Sequence, residues 1–327
     1  MKRLISIFPI TLNADQFIRV FLFISVVGAL LFPAKNAFAV ESFCPGGTSP
    51  NPNVIFCDDF EASGPLVASG RYFEYGTGET ANTFTLQAGV GYNGSYGMRA
   101  AIVPGNVSGG SLKVAFGRNP GAGMNNGIRT TEDFREIYYR FYVKFKTGWA
   151  DGNDKLSRAT SIVAADWSQA MIAHHWESQT DHHLYIDPVR CVDLSTNQPK
   201  CSGYNDFAHM DWLGETQGAA TFSSGAKIGQ WVCVEQHVRL NDPGQSNGVQ
   251  EAWIDGNLDV SKTNLNFVGS YTAYAINAVF FETWLNAGAT ATEERYFDDI
   301  VISTQRIGCI ATSDTNPPHA PTGLIVK

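Results

Sequence analysis

The stretch from Ile137 to Phe145 constrains the fold more than any other part of the chain. Ile137, Tyr139, Phe141, Val143 and Phe145 alternate with Tyr138, Arg140, Tyr142 and Lys144. Side chains point to opposite faces along a strand, so one face of this segment is apolar and the other polar. A helix would scatter both sets around its circumference. Trp231 to Leu240 repeats the device, with Val232, Val234, Val238 and Leu240 on one face and Cys233, Glu235, His237 and Arg239 on the other. Glu251–Asp255, Ala278–Leu285 and Tyr296–Ser303 read as further strands. Asn241-Asp242-Pro243-Gly244, Asn247-Gly248 and Asp255-Gly256 mark turns between them. Such a rhythm predicts an all-β chain of two packed antiparallel sheets and argues against a βαβ fold.

The N-terminus reads as an export signal over residues 1–39. Lys2 and Arg3 open it, Arg19 precedes the apolar run Val20–Phe32, and Ala37-Phe38-Ala39 offers a small-residue cleavage site. That run is about 13 residues, too short to cross roughly 30 Å of hydrocarbon. An uncleaved membrane anchor is the rival reading. The globular domain is expected over 40–311, followed at 312–327 by a Pro-rich linker or tail. All six cysteines (Cys44, Cys57, Cys191, Cys201, Cys233 and Cys309) follow the signal. An even number in an exported chain reads as disulfides, and proximity suggests 44–57 and 191–201, leaving 233–309. The close Cys-x-x-Cys spacing of a strong zinc site is absent. A secreted or periplasmic location is therefore expected, with no membrane attachment after cleavage.

Charge narrows the partners. The whole chain carries −8, and segment 1–39 contributes a net +3, so the remainder carries −11. Nucleic acid is a poor partner for such a surface. An acidic glycan held in a locally basic groove is still compatible.

Four stretches, in order, resemble the concanavalin A-like jelly rolls, and particularly their alginate and glucuronan lyases. They are Cys57-Asp58-Asp59-Phe60-Glu61 with Gly91–Arg99; Ile137–Phe145 trailed by Lys155-Leu156; Trp231–Glu235 leading to Asn241 and Trp253–Gly256; and Thr283–Gly288 followed by Tyr296–Ile300. The resemblance covers most of residues 55–309. It departs at Lys155-Leu156-Ser157-Arg158, where those lyases tend to have Pro-Gly after Lys-Leu, and at Asn286-Ala287-Gly288, where they favour paired glycines. The Glu-x-Asp-x-x-Glu signature of retaining glucanases on this fold is absent.

The resemblance implies a monomeric polysaccharide lyase that needs no cofactor and cleaves a uronate-containing glycan by β-elimination. That chemistry needs a group to quiet the carboxylate, a base for the C5 proton and an acid for the leaving oxygen. Four of the seven histidines fall in His174-His175 and His182-His183, on two strand-like segments that would form a hairpin. Taking Ala170, Ile172, Trp176, Leu184 and Ile186 as core sends His175, Glu177, His183, Tyr185 and Asp187 outward. His175 is then the first candidate base and His183 the second, with Tyr142 or Tyr185 as acid. Arg140, Lys144, Lys155 and Arg158 are candidates to grip the substrate carboxylate, and Trp284 to stack on sugar. The central expectation is that the Arg140 face and the histidine hairpin share one trough.

Rival readings accompany these. The histidines could bind a divalent metal or serve as structural hydrogen-bonding groups. Asp58, Glu61 and Asp299, with Asp59 and Asp298 nearby, could hold a structural Ca2+ through oxygen ligands. The whole domain could bind glycan without cleaving it, as a lectin-like or adhesin module. A glycoside hydrolase would need two carboxylates about 5–9.5 Å apart, drawn from Glu177, Glu235 and Glu282.

Overall fold

The computed structural model describes Cys44 and residues 49–310, apart from 63–65, 67–70, 81–82, 122–123, 125–126, 150–153 and 179. The segment 1–39, read as an export signal, and the tail 312–327 lie outside the described residues.

The described residues contain eighteen strands. The first six are β1 (Val54–Asp58), β2 (Glu74–Gly76), β3 (Phe84–Gln87), β4 (Gly97–Ile102), β5 (Ser108–Ala115) and β6 (Glu136–Phe145). Then come β7 (Asp154–Ile162), β8 (Gln169–Glu177), β9 (His183–Arg190), β10 (Val192–Asp193), β11 (Gln198–Pro199) and β12 (Asp211–Trp212). The last are β13 (Thr216–Thr221), β14 (Trp231–Arg239), β15 (Gly248–Ile254), β16 (Asn257–Leu265), β17 (Ala278–Leu285) and β18 (Glu293–Ser303). One sheet, the first, runs β16-β15-β14-β6-β18-β4-β3, with β1 also on β18; the second runs β12-β9-β8-β7-β17-β5-β2, with β13 also on β9. All their pairings are antiparallel. The expected sandwich of two antiparallel sheets is present, in a jelly-roll arrangement.

The alternation in β6 decides which way its sheet faces. Ile137, Tyr139, Phe141, Val143 and Phe145 are all buried in the main core. Phe141 meets Phe281 of the second sheet edge-to-face at 5.4 Å between ring centres, and Tyr139 meets the same ring at 6.0 Å. Aromatic rings from both sheets thus interlock to fill the interior. The β15–β16 hairpin turns on Asp255 (φ 50°) and Gly256 (φ 81°), both left-handed. A two-residue turn with positive φ at both positions matches the twist of the strands it joins, and Asp-Gly suits it.

A charged pair lies buried between the sheets. Arg295 of β18 pairs with the Asp154 carboxylate of β7, and both side chains are fully buried. The same guanidinium donates to the backbone carbonyl of Lys155 at 3.0 Å, to that of Glu282, and to Thr283 Oγ1 at 2.7 Å. The ladder between β7 and β17 loses its register between Phe281 and Trp284. Carbonyls released by such an irregularity need donors when buried, and Arg295 supplies them.

Three disulfides are formed: Cys44–Cys57, Cys191–Cys201 and Cys233–Cys309. The pairing expected from proximity is the observed one. The third closes a loop of 76 residues between β14 and the segment after β18. The paired variant Cys233→Ser/Cys309→Ser is expected to lose about 4 kcal/mol of unfolding free energy by loop-closure entropy, read from urea midpoints against the native chain.

Candidate functional site

The face of the second sheet turned away from the core carries two rows of directly opposed residues. The first runs Trp284 (β17), Lys155 (β7), Trp176 (β8), Tyr185 (β9), Gln217 (β13). The second runs Glu74 (β2), Lys113 (β5), Phe280 (β17), Arg158 (β7), His174 (β8), Asp187 (β9). Residues opposed across a ladder share a face, so each row is a line of side chains crossing the strands. Two cavities hollow this face. One of about 430 Å³ lies over β8, β9 and β12 and is walled by Trp176, Tyr185 and Trp212. The other, about 270 Å³, lies over β5 and β17 and is walled by Lys113, Tyr204, Glu282 and Trp284.

Lys155 sits between the two tryptophans, its Nζ 5.2 Å from the centre of the Trp284 ring and 6.0 Å from that of Trp176. Burial lowers its pKa below the usual lysine value; Glu282 opposes that fall and Arg158 adds to it. An amine so placed loses its proton more readily than a surface lysine. Arg158 is 1% exposed and bonds to Glu282 Oε1 at 2.8 Å, to Asn205 Oδ1 at 2.8 Å, and to the Tyr204 hydroxyl. Against the cost of burial, Arg158, Lys155 and Lys113 hold the Glu282 carboxyl below the usual range. Tyr204 and Asn205 lie just beyond Cys201, so the Cys191–Cys201 disulfide anchors the loop that caps Arg158. Tyr185 donates to Asp181 Oδ2 at 2.6 Å; that bond, with burial, pushes its hydroxyl up to about 12.

The single trough expected from the sequence is not formed. Arg140, Tyr142 and Lys144 belong to β6, in the first sheet, whereas Lys155, Arg158, Tyr185 and Trp284 share the open face of the second. Arg140 is 1% exposed and donates to the carbonyls of Gly308 and Asp299. Tyr142 is buried too; its hydroxyl accepts from the Ile310 amide at 2.7 Å, and its ring lies 4.5 Å from Tyr92. Lys144 lies between the rings of Trp231 and Tyr296, at 4.8 and 4.7 Å. The segment leading to Cys309 covers this face: Glu235 accepts from the Ile307 and Gly308 amides. Glu235 therefore cannot join Glu282 as a hydrolase pair.

The β8 strand is in the opposite phase from that expected. His175 stands opposite Ser157 and Ile186, in an interior row with Phe281, and is 1% exposed. Its Nδ1 is 3.4 Å from Ser157 Oγ, and burial lowers its pKa to about 3. His174 and Trp176 take the open face instead. Burial, then Arg158 and Lys155, hold His174 well below the ordinary value. Ala170-Met171-Ile172-Ala173 is apolar on both faces, so periodicity could not settle the phase. Tyr185, Asp187 and His183 do face outward on β9, with Leu184 and Ile186 inside. His183 Nδ1 lies 2.7 Å from the Gly218 carbonyl at the sheet edge. Lys113, His174, Trp176, Tyr204 and Trp212 were missed; Trp176 could have been found by pairing it against Tyr185 across the hairpin.

The candidate calcium ligands Asp58, Glu61 and Asp299 do not form a metal-holding group among the described residues. Asp58 bonds to Arg71 at 2.8 Å and to the Tyr72 hydroxyl at 2.9 Å, and Glu61 accepts from the Tyr96 amide. Among the described residues no group of three or more His, Cys, Asp or Glu side chains could hold a metal ion, the four hairpin histidines included. Asp58 is held by a cation already, which is why its burial is tolerated.

Residues 180–293 match the family model described as polysaccharide lyase 14. The match takes in β9, β12, β13 and β17, and with them Tyr185, Trp212 and Trp284. The family-level resemblance is to polysaccharide lyases. Comparison with curated proteins gives no match. Among solved structures, the PL-14 alginate lyase from Aplysia kurodai superposes with a TM-score of 0.54 at 14% identity, over 77% of this chain and 99% of that one. Alginate lyase vAL-1 from Chlorella virus gives 0.52 at 12%, over 77% and 99%. Alginate lyase Aly36B gives 0.50 at 16%, over 79% and 99%. At such identities the likeness is one of fold, the concanavalin A-like jelly roll.

The buried His175 makes a measurable demand. The unfolded chain binds its proton near 6.5 and the folded one near 3, so between those values unfolding takes up a proton. Its burial therefore costs stability progressively as pH falls from about 6.5 toward 3. Urea midpoints at about pH 4 and pH 7 should differ less in His175→Gln than in the native chain.

Proposed function

We propose that this chain is an exported polysaccharide lyase that cleaves a uronate-containing glycan on the open face of its second sheet. The observation that carries the reading is the row Trp284–Lys155–Trp176–Tyr185, whose two end residues fall within the stretch 180–293 that matches the lyase family model. Neighbouring strands lie about 4.8 Å apart, so Lys155 and Tyr185 are separated by about 10 Å at the backbone. Side chains converging from that spacing can reach opposite sides of one sugar ring. Three disulfides support an oxidising compartment. Among the described residues, no helix is long and apolar enough to cross a membrane.

In this reading the uronate carboxylate docks toward Lys113 and Arg158, whose charge offsets the negative charge that develops beside C5. Neutral Lys155 removes the C5 proton, the C4–oxygen bond breaks, and a C4–C5 double bond forms. Tyr185 gives its hydroxyl proton to the departing oxygen. Trp176 and Trp284 hold the flanking sugar faces. Arg158 acts twice, since its field also disfavours the protonated form of Lys155. A glycan-binding module without catalysis would need no amine with a lowered pKa in the middle of its platform.

Incubation with alginate, glucuronan, and a polymer in which glucuronate alternates with uncharged hexoses should raise ultraviolet absorbance from unsaturated uronate with at least one of them. Absence of a rise with all three would overturn the reading. Lys155→Ala and Tyr185→Phe are each expected to lower kcat/KM by about 100-fold or more, while Lys144→Ala, on the other sheet, leaves it unchanged. The kcat/KM profile should climb with pH and level off below the ordinary lysine value of 10.5, because the base must be neutral.

A further inference from the structure

The two cavities along the trough differ in charge. In the smaller one the acidic residues Glu74 and Glu282 are matched by bases, Lys113 on its wall and Lys155 and Arg158 adjoining it. The larger one is bordered by Asp181, Asp187 and Glu215, and no lysine or arginine is among its described lining residues. Lys262, on β16, counters Asp187 in part. Its walls are aromatic: Trp212 is 44% exposed, Trp176 is partly exposed, and Tyr185 closes one side. Glu177 also borders it, fully buried, with Oε2 lacking a hydrogen-bond partner. Trp176 Nε1 likewise has none. The exposed indole of Trp212 and the hydroxyl of Tyr185 are the groups on these walls that a polar ligand can meet.

A second uronate would be poorly accommodated here. Its carboxylate would face three acidic side chains and no lining base, and like charges at such range repel strongly in a partly desolvated cavity. An uncharged sugar has what the cavity asks for. Its hydroxyls donate to carboxylates and accept from indole N–H, and its C–H faces lie against indole rings.

We infer that the cavity between Trp176 and Trp212 binds an uncharged sugar unit, so that the natural substrate is a mixed polymer placing a neutral hexose beside the uronate that is cleaved. The inference rests on the lyase reading for its catalytic half, but the cavity's ligand can be tested without cleavage.

Two measurements decide it. In the first, the full chain is titrated with a neutral β-1,4-linked glucose hexasaccharide while tryptophan fluorescence is followed. Saturable quenching is expected, weakened at least about tenfold in Trp212→Ala. Lack of quenching, or quenching indifferent to Trp212→Ala, overturns the inference whether or not the chain is a lyase. In the second, kcat/KM is compared between polyglucuronate and the alternating glucuronate–hexose polymer. The alternating polymer is expected to be preferred by at least about tenfold, and Glu215→Gln to narrow the gap by improving the homopolymer. Preference for the homopolymer, unchanged in Glu215→Gln, would overturn the mixed-polymer inference and leave the lyase reading standing.

Discussion

The working face depends on one buried cation. Arg295 reaches from β18 of the first sheet into the second, where it neutralises Asp154 and holds the carbonyls of Lys155 and Glu282 together with the Thr283 hydroxyl. Asp154 in turn accepts the Trp284 amide at 3.1 Å. Lys155 and Trp284, the two residues at the head of the aromatic row, therefore have their backbones fixed from beneath by the same ion pair. Burying both charges is tolerable because every partner is present. Without the guanidinium, an irregular ladder in the middle of a buried sheet would leave carbonyls unsatisfied. The sandwich interior thus positions side chains that project to the opposite side of the sheet.

The two outer faces have been put to different uses. On the first sheet the segment to Cys309 lies across β6 and β14, pinned by the Cys233–Cys309 disulfide, by Glu235, and by the hydroxyl of Tyr142. Polar side chains there serve as anchors for a strap. On the second sheet the Cys191–Cys201 disulfide holds a loop at the margin, where Tyr204 and Asn205 fasten Arg158 without roofing the cavities. Two disulfides of similar chemistry support opposite outcomes, one face covered and one left open.

Charge along the open face is graded rather than uniform. Lys113, Lys155 and Arg158 gather on β5 and β7, with Glu282 among them; Asp181, Asp187 and Glu215 gather around β9. His174 stands at the seam, opposite Arg158 on one side and Asp187 on the other. A chain with a net charge of −8 can still present a cationic patch to an acidic ligand, because the local field at a partly buried site is governed by its neighbours more than by the total.

Period-two alternation was enough, without any structure, to specify strands β6 and β14, their buried faces and an all-β sandwich, since in both strands one face is apolar and the other polar. The even number of cysteines and their spacing likewise pointed to the observed disulfides. Lys155, Arg158, Tyr185 and Trp284 were recognisable as residue types suited to an acidic glycan. Only the folded structure decided which of them meet. Arg140 and Tyr142 went to the other sheet because strand order is a long-range property, set by how β6 pairs with β14 and β18 rather than by its own residues. His175 turned inward and His174 outward because β8 is apolar on both faces, leaving its phase to the ladders with β7 and β9. Local pattern determines a strand's faces when they differ; when they do not, its partners decide.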